Sequence, residues 1–189
     1  MYKNPLLLVI DMQNAYMPGQ PWACQNYDVA SVNVIKLCKR IDNVIFTKYI
    51  ASKNPSGILE DYNQINKEIN ENVWLNELSM DTLGHKCYDK SVYSAYSIKE
   101  VQEAASLATS VIVTGVVAEC CVLSTVMSLI DAGKYVYYVY DAIAGATPET
   151  EQATIKVLEV LAYVHLRFIT TEEMLSLLGS NGIMSMELF

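Results

Sequence analysis

Positive charge is scarce in this sequence. Thirteen Lys and Arg stand against twenty-one Asp and Glu, a formal net charge of -8 at pH 7. Nucleic acids and anionic membrane surfaces both require a basic patch, so neither is an expected partner. Long apolar runs are missing as well. Leu6 to Ile10 is five residues, too short for a signal segment or a membrane span, and no later run is long enough. Histidine occurs only at 85 and 165, neither with an Asp or Cys at ligand spacing. That excludes a histidine triad and predicts no metal. Neither G-x-G-x-x-G nor G-x-x-x-x-G-K-[ST] occurs, and Asp131-Ala-Gly-Lys134 reads as a helix-to-strand connection, so no nucleotide cofactor is expected. The five cysteines are odd in number, lack framework spacing and contain no C-x-x-C. A zinc ribbon and a thioredoxin-type site drop out, and a reducing compartment is implied. The expectation is a soluble cytoplasmic protein.

What remains is rich in core formers. Hydrophobic residues make up 52% of the 189 and charged ones 18%, enough for one domain with a sizeable core. The thirteen tyrosines are scattered, as expected of half-buried rings with their hydroxyls at the rim.

Strand and helix patterns alternate along the chain. Leu6 to Ile10 is a continuous apolar run, the mark of a strand buried on both faces, and ends at Asp11. Residues 28–41 have approximate helical spacing, 43–49 form a second strand, and 51–57 form a loop with Pro55 and Gly57. Residues 59–78 are polar with mixed helical pieces. Residues 86–89 predict a short third strand, and Ser97 with Glu100 predicts a capped helix to Leu107. Tyr135 to Tyr140 predicts a fifth strand before Asp141, which takes a turn role. Pro148 suits the first turn of a helix to about Ala162, and His165 to Ile169 is a sixth strand. Thr170-Thr-Glu-Glu173 has capping-box form and opens a last helix through Leu178, with Gly179 at its end. No Pro/Gly/Ser-rich linker divides this series. It predicts an α/β fold with a doubly wound parallel sheet, in which sites lie at the carboxyl ends of strands.

The chain is organised around residues 111–126. Val111 to Thr114 alternate β-branched residues, Gly115 breaks the pattern, and Val122, Val126, Leu129 and Ile130 share a helical stripe. Cys120 and Cys121 then fall in a first helical turn, where orphan N–H groups and the helix dipole can lower a thiol pKa below about 8.5. The same pattern also suits two small buried hydrophobes.

Three strand ends could together form a hydrolase. Cys121 would attack a carbonyl, Asp11 would move the proton, and Lys90 would favour the charged forms. Backbone N–H groups of Ala118 and Cys121 could hold the oxyanion. Taken singly, Asp11 could be a turn former and Lys90 a solvated charge. Cys120 and Cys121 could also join as a strained disulfide, a redox-responsive reading.

At this point the residues resemble a family. Leu6-Leu-Leu-Val-Ile-Asp-Met-Gln-Asn-Ala-Tyr16, Asp89-Lys-Ser-Val-Tyr-Ser-Ala-Tyr96 and Gly115-Val-Val-Ala-Glu-Cys-Cys-Val-Leu-Ser-Thr125 are similar, in order and spacing, to three signature blocks of the isochorismatase-like cysteine hydrolases. The resemblance covers essentially the whole chain, 1–189, as one domain. It implies Asp11 as acid/base, Lys90 as charge partner and Cys121 rather than Cys120 as nucleophile, because Val122 and Thr125 follow it correctly. It also implies a non-proline cis peptide between Val117 and Ala118, a homo-oligomer (dimer or tetramer), and a three-layer α/β/α sheet of six parallel strands in order 3-2-1-4-5-6. In that order strand 3 lies roughly 10 Å from strand 1, so Lys90 must lean back through its loop. The region after strand 2, Thr47 to Gly57, lacks the histidines with which nicotinamidases of that superfamily bind metal, so metal-dependent nicotinamidase activity is disfavoured. Ala118 stands where many relatives have threonine. Tyr16, Trp22, Tyr49, Tyr93 and Tyr96 are the candidate pocket aromatics and suggest a flat or apolar substrate. The expected activity is metal-independent hydrolysis of a small amide or carbamoyl C–N bond. The alternatives are vinyl-ether hydrolysis through Asp11 without covalent catalysis, and a non-catalytic binding or redox-responsive protein.

Overall fold

The computed structural model describes residues 4–179. Six strands form one all-parallel sheet in the order β3-β2-β1-β4-β5-β6. They are β1 (Leu6–Ile10), β2 (Val44–Tyr49), β3 (Lys86–Lys90), β4 (Val111–Val116), β5 (Val136–Ala144) and β6 (Leu166–Ile169). The apolar run of β1 is buried throughout because it lies at the centre of the sheet with helices on both faces. Its side chains alternate. Leu7 and Val9 pack with α1 (Tyr27–Cys38) and α8 (Thr171–Gly179). Leu6, Leu8 and Ile10 pack with α5 (Lys99–Leu107), α6 (Leu123–Asp131) and α7 (Pro148–Glu159). The result is the three-layer α/β/α architecture, doubly wound about the β1–β4 pair.

Between β2 and β3 the chain makes three short helices, α2 (Ile58–Ile65), α3 (Lys67–Asn70) and α4 (Val73–Asn76). Of these helical residues only Leu75 is buried. Ile58, Tyr62 and Ile65 of α2 still fall at helical spacing, so periodicity here marks a helix without marking burial.

Several elements differ from the sequence reading. Helix α5 begins at Lys99, and its N-cap is Ile98 rather than Ser97; the hydroxyl that caps here is Ser94, on a 3-10 turn at Ala95–Ser97. Strand β5 runs beyond Tyr140 to Ala144, because its register against β4 shifts between Val113 and Gly115 and pairing resumes at Gly115–Ile143. The shift leaves Asp141 out of the β4 register, with its carboxylate turned toward α8. It accepts the Thr171 amide and hydroxyl, both at 2.8 Å, so its role is to cap α8 and not to make a turn. The Thr170–Glu173 capping box is present in both directions, and Pro148 opens α7 behind a Thr147–Thr150 box.

Candidate active site

Asp11 leaves β1 with φ +51, a conformation an aspartate tolerates better than most side chains. Its amide donates to the Thr47 carbonyl at 3.1 Å, which turns the carboxylate inward instead of out to solvent. Both of its oxygens are engaged. The Thr47 hydroxyl donates to Oδ1 at 2.7 Å, and Lys90 Nζ donates to Oδ2 at 2.6 Å. Neither side chain of this ion pair is exposed. Lys90 ends β3, and its ammonium crosses the end of β2 at 5.6 Å from the Tyr49 ring centre. The reach-back that strand order demanded is therefore made. Nζ also donates to the Val92 carbonyl at 3.1 Å and to Cys121 Sγ at 3.4 Å. Burial works against the ammonium, yet Asp11 and Cys121 outweigh it and leave the Lys90 pKa raised.

Cys121 lies at the end of β4, where the strand runs into one turn of π-helix, Ala118–Val122, before α6. Gly115 permits the approach: at φ +107, a Cβ there would collide with the Ile10 backbone. The cis peptide of this turn joins Val116 to Val117, one residue before the expected Val117–Ala118 bond. The Cys120 and Val122 amides both donate to the Val117 carbonyl. Thr125 Oγ1 donates to the Cys121 carbonyl at 2.6 Å and accepts the Ala95 amide at 2.9 Å, so it fastens the turn to the loop after β3. Glu119 fastens its other side, accepting the Ala146 amide at 3.1 Å and the Thr150 hydroxyl at 2.7 Å.

Cys121 as a whole is 3% exposed. Burial, then the Asp11 charge, raises its pKa, and Lys90 only partly offsets them. This reverses the lowered pKa expected at a helix start: the turn is π-helical, the sulfur is desolvated, and a carboxylate is its neighbour. The Cys121 proton therefore stays on sulfur until a base removes it.

The aromatics form a wall. Ring centres of Tyr16 and Trp22 lie 5.4 Å apart, Trp22 and Tyr49 6.3 Å, and Tyr49 and Tyr62 6.5 Å. Burial raises the pKa of Tyr16, Tyr49 and Tyr93, and the Asp11 carboxylate adds to the rise at Tyr16. Tyr96 does not join them; it packs against the cluster holding Val101 and Ala105. Thr47 and Tyr62 were missed from sequence. Thr47 did have a signal, as a polar residue inside the apolar strand Val44-Ile-Phe-Thr47, which burial obliges to find a partner. Tyr62 shares helical spacing with Ile58 and Ile65, but that face of α2 is not buried and its spacing does not point to the site. Among the described residues, no three His, Cys, Asp or Glu side chains gather as a metal ion would require.

The Isochorismatase domain model matches residues 5–173. The chain therefore belongs to the isochorismatase family, and the family makes it a hydrolase. An uncharacterized isochorismatase family protein of Bacillus subtilis (strain 168), YddQ, is 29% identical over 149 residues, 77% of this chain and 80% of that protein. Among solved structures, a cysteine hydrolase from Pseudomonas syringae pv. phaseolicola 1448A superposes with a TM-score of 0.79 at 19% identity, covering 94% of this chain and 93% of that one. The pyrazinamidase of Pyrococcus horikoshii, in complex with zinc, gives 0.65 at 18% identity over 89% and 99%.

Proposed function

We propose that this chain hydrolyses a small amide or carbamoyl C–N bond through a thioester on Cys121. The observation that carries the proposal is the double contact of Lys90 Nζ, 2.6 Å from Asp11 Oδ2 and 3.4 Å from Cys121 Sγ. One buried ammonium thus sits against both a base and a nucleophile.

In this reading Asp11 takes the thiol proton as sulfur attacks the carbonyl carbon, which suits a thiol whose pKa is raised and which is not ionised beforehand. Lys90 stabilises the thiolate as it forms. The oxyanion is assigned to the Ala118 and Cys121 amides, since those of Cys120 and Val122 already donate to Val117. Asp11 returns the proton to the leaving nitrogen, and the C–N bond breaks to give thioester and free amine. Asp11 then takes a proton from water as its oxygen attacks the thioester. The acid is released and the proton returns to sulfur. Tyr16, Trp22, Tyr49, Tyr62 and Tyr93 are assigned to the substrate walls, and no metal or cofactor enters the steps.

Mass spectrometry of the protein quenched during turnover of an amide library tests this. An acyl adduct on Cys121 is expected, and Cys121→Ala is expected to lower the rate at least about 10⁴-fold. Turnover that survives Cys121→Ala would favour ether hydrolysis through Asp11. The reading takes residues 1–189 as one domain acting on a small molecule within a homo-oligomer, which light scattering tests.

A further inference from the structure

Glu119 and Glu151 form a carboxyl pair that the proposed chemistry leaves unused. Glu119 belongs to the turn that bears Cys121, and Glu151 to the start of α7. Glu119 Oε1 accepts the Ala146 amide at 3.1 Å and the Thr150 hydroxyl at 2.7 Å. Its Oε2 is buried and has no hydrogen-bond partner among the described residues. Glu151 Oε2 accepts the Gly145 amide at 3.0 Å. The two side chains close on that glycine: a Cβ built there would lie 2.9 Å from Glu119 Oε2 and 2.8 Å from Glu151 Cβ. Neither carboxyl has an ion-pair partner among the described residues.

A buried carboxylate oxygen calls for a donor, and two carboxylates at one site resist ionising together. With no cation in reach, a single proton answers both demands. Glu119 already accepts two hydrogen bonds, so it is the ionised member and Glu151 carries the proton. Burial raises the Glu151 pKa, the Gly145 amide lowers it and the Glu119 charge raises it again, which leaves it above 4.5. The Gln25 amide donates to the Gly145 carbonyl at 2.8 Å and so brings the loop before α1 alongside. Cys24 from that loop, Cys120 from the turn and Tyr138 from β5 are the other titratable groups around the pair. Burial raises the pKa of all three, so they stay neutral while Glu151 titrates.

We propose that Glu119 and Glu151 share one proton at Gly145, and that this proton clasps α7 to the turn bearing Cys121. Glu151 is then a positioning residue for that turn. Its ionisation as pH rises sets two carboxylates against each other and loosens the turn. The clasp goes beyond the amide-hydrolase reading and is measurable without turnover.

The test uses the full chain. In carbon NMR of isotope-labelled glutamate, the Glu151 carboxyl is expected to titrate above 4.5. Glu119→Gln, whose amide donates where the proton did, should lower that midpoint. Stability gives a second readout. An acid whose pKa is raised on folding adds stability that is complete below its ordinary pKa and lost as pH rises through the raised one. Relative to Glu151→Gln, the parent's unfolding equilibrium constant should rise about tenfold for each pH unit that the midpoint lies above its ordinary value. Glu151→Gln keeps a donor and should match the parent below the midpoint, whereas Glu151→Leu should be weaker at every pH. Iodoacetamide labelling of Cys121, followed in Cys120→Ser protein, reads the turn itself. Parent and Glu151→Gln should react alike below the midpoint, and the parent faster above it. A merely structural contact would leave these ratios independent of pH. A Glu151 midpoint unmoved by Glu119→Gln, a Glu151→Gln protein as weak as Glu151→Leu, or equal labelling throughout would overturn the proposal. So would a midpoint lower in potassium chloride than in tetramethylammonium chloride of equal ionic strength, which would make a bound cation the neutralising group.

Discussion

Asp11 and Lys90 stand at strand ends with both side chains fully buried, whereas α2, which carries Tyr62 against Tyr49, buries none of its eight residues. The floor of the site is held by the sheet and by an ion pair closed to water. The cover is held differently. Trp22 Nε1 donates to Asn66 Oδ1 at 3.2 Å, Asn63 donates to the Ser52 carbonyl at 3.1 Å, and Tyr62 rests edge-on against Tyr49. Ile58 and Ile65 of α2 are 78% and 82% exposed, so its apolar side chains do not anchor it. Regions with few buried apolar contacts open at lower free energy than core strands. The contrast assigns bond making to the rigid part and substrate entry to the part that can move.

Replacing Asp11 probes the floor most severely. Asp11→Asn leaves the Lys90 ammonium buried without its counter-charge, which is expected to cost about 3–5 kcal/mol of stability. It also removes the proposed proton acceptor, so the rate should fall about 10²–10⁴-fold. Denaturant titration and steady-state kinetics read the two effects. A variant as stable as the parent would mean that the pair does not hold the floor together.

Gly115→Ala attacks the floor by shape alone. The residue has φ +107, and its Cβ would strike the Ile10 backbone where β1 and β4 pair. A loss of at least about 2 kcal/mol is expected, because strand backbone cannot yield as a flexible side chain can. A loss below about 0.5 kcal/mol would show that the β1–β4 approach is looser than described.

The floor was legible and the cover was not, for one reason. Continuous apolar runs ending in Asp11 and in the Gly115 turn reflect burial, and burial leaves a pattern in sequence, whereas Lys90 closes a half-exposed strand and was marked by its strand end and by family resemblance. The Thr170–Glu173 capping box was legible because it is local. The cis bond was placed one residue late because its position came from family resemblance. The Ser97 cap was misjudged because Ser94, three residues earlier, has the same chemistry. The far end of β5 was lost because a register shift depends on its neighbour β4, and Asp141 was misjudged with it. Tyr62 was out of reach because its helix, although Ile58, Tyr62 and Ile65 share helical spacing, buries none of them and is held by asparagine and ring edges.

Alkaline pH should weaken the core gradually. Burial pushes the Cys24 and Cys38 thiols up to about 12 and Cys87 to about 11, against 9.0. An acid whose pKa is raised on folding ionises first in the unfolded chain. The stability these thiols contribute is therefore complete below about pH 9 and is lost as pH rises through 11 to 12. The melting temperature is expected to fall over that window, and Cys38→Ala should blunt the fall while lowering the plateau. A profile flat to pH 11 would mean that the thiols are more hydrated than their burial implies.

The cover responds least in stability and more in function. Asn66→Ala removes the acceptor of Trp22 Nε1 and the side-chain bond to the Tyr62 carbonyl, both only partly buried. Water can replace such partners, so unfolding free energy should drop by less than about 1 kcal/mol. Those same bonds hold Trp22 and the Tyr62 backbone, and the rings of both residues pack on Tyr49. KM is therefore expected to rise several-fold while kcat changes little, since Asp11, Lys90 and Cys121 make no contact with Asn66. A stability loss comparable to that of Gly115→Ala would make the cover part of the core, and the division of labour between the two regions would fail. An unchanged KM beside a reduced kcat would instead tie the cover to the chemical step.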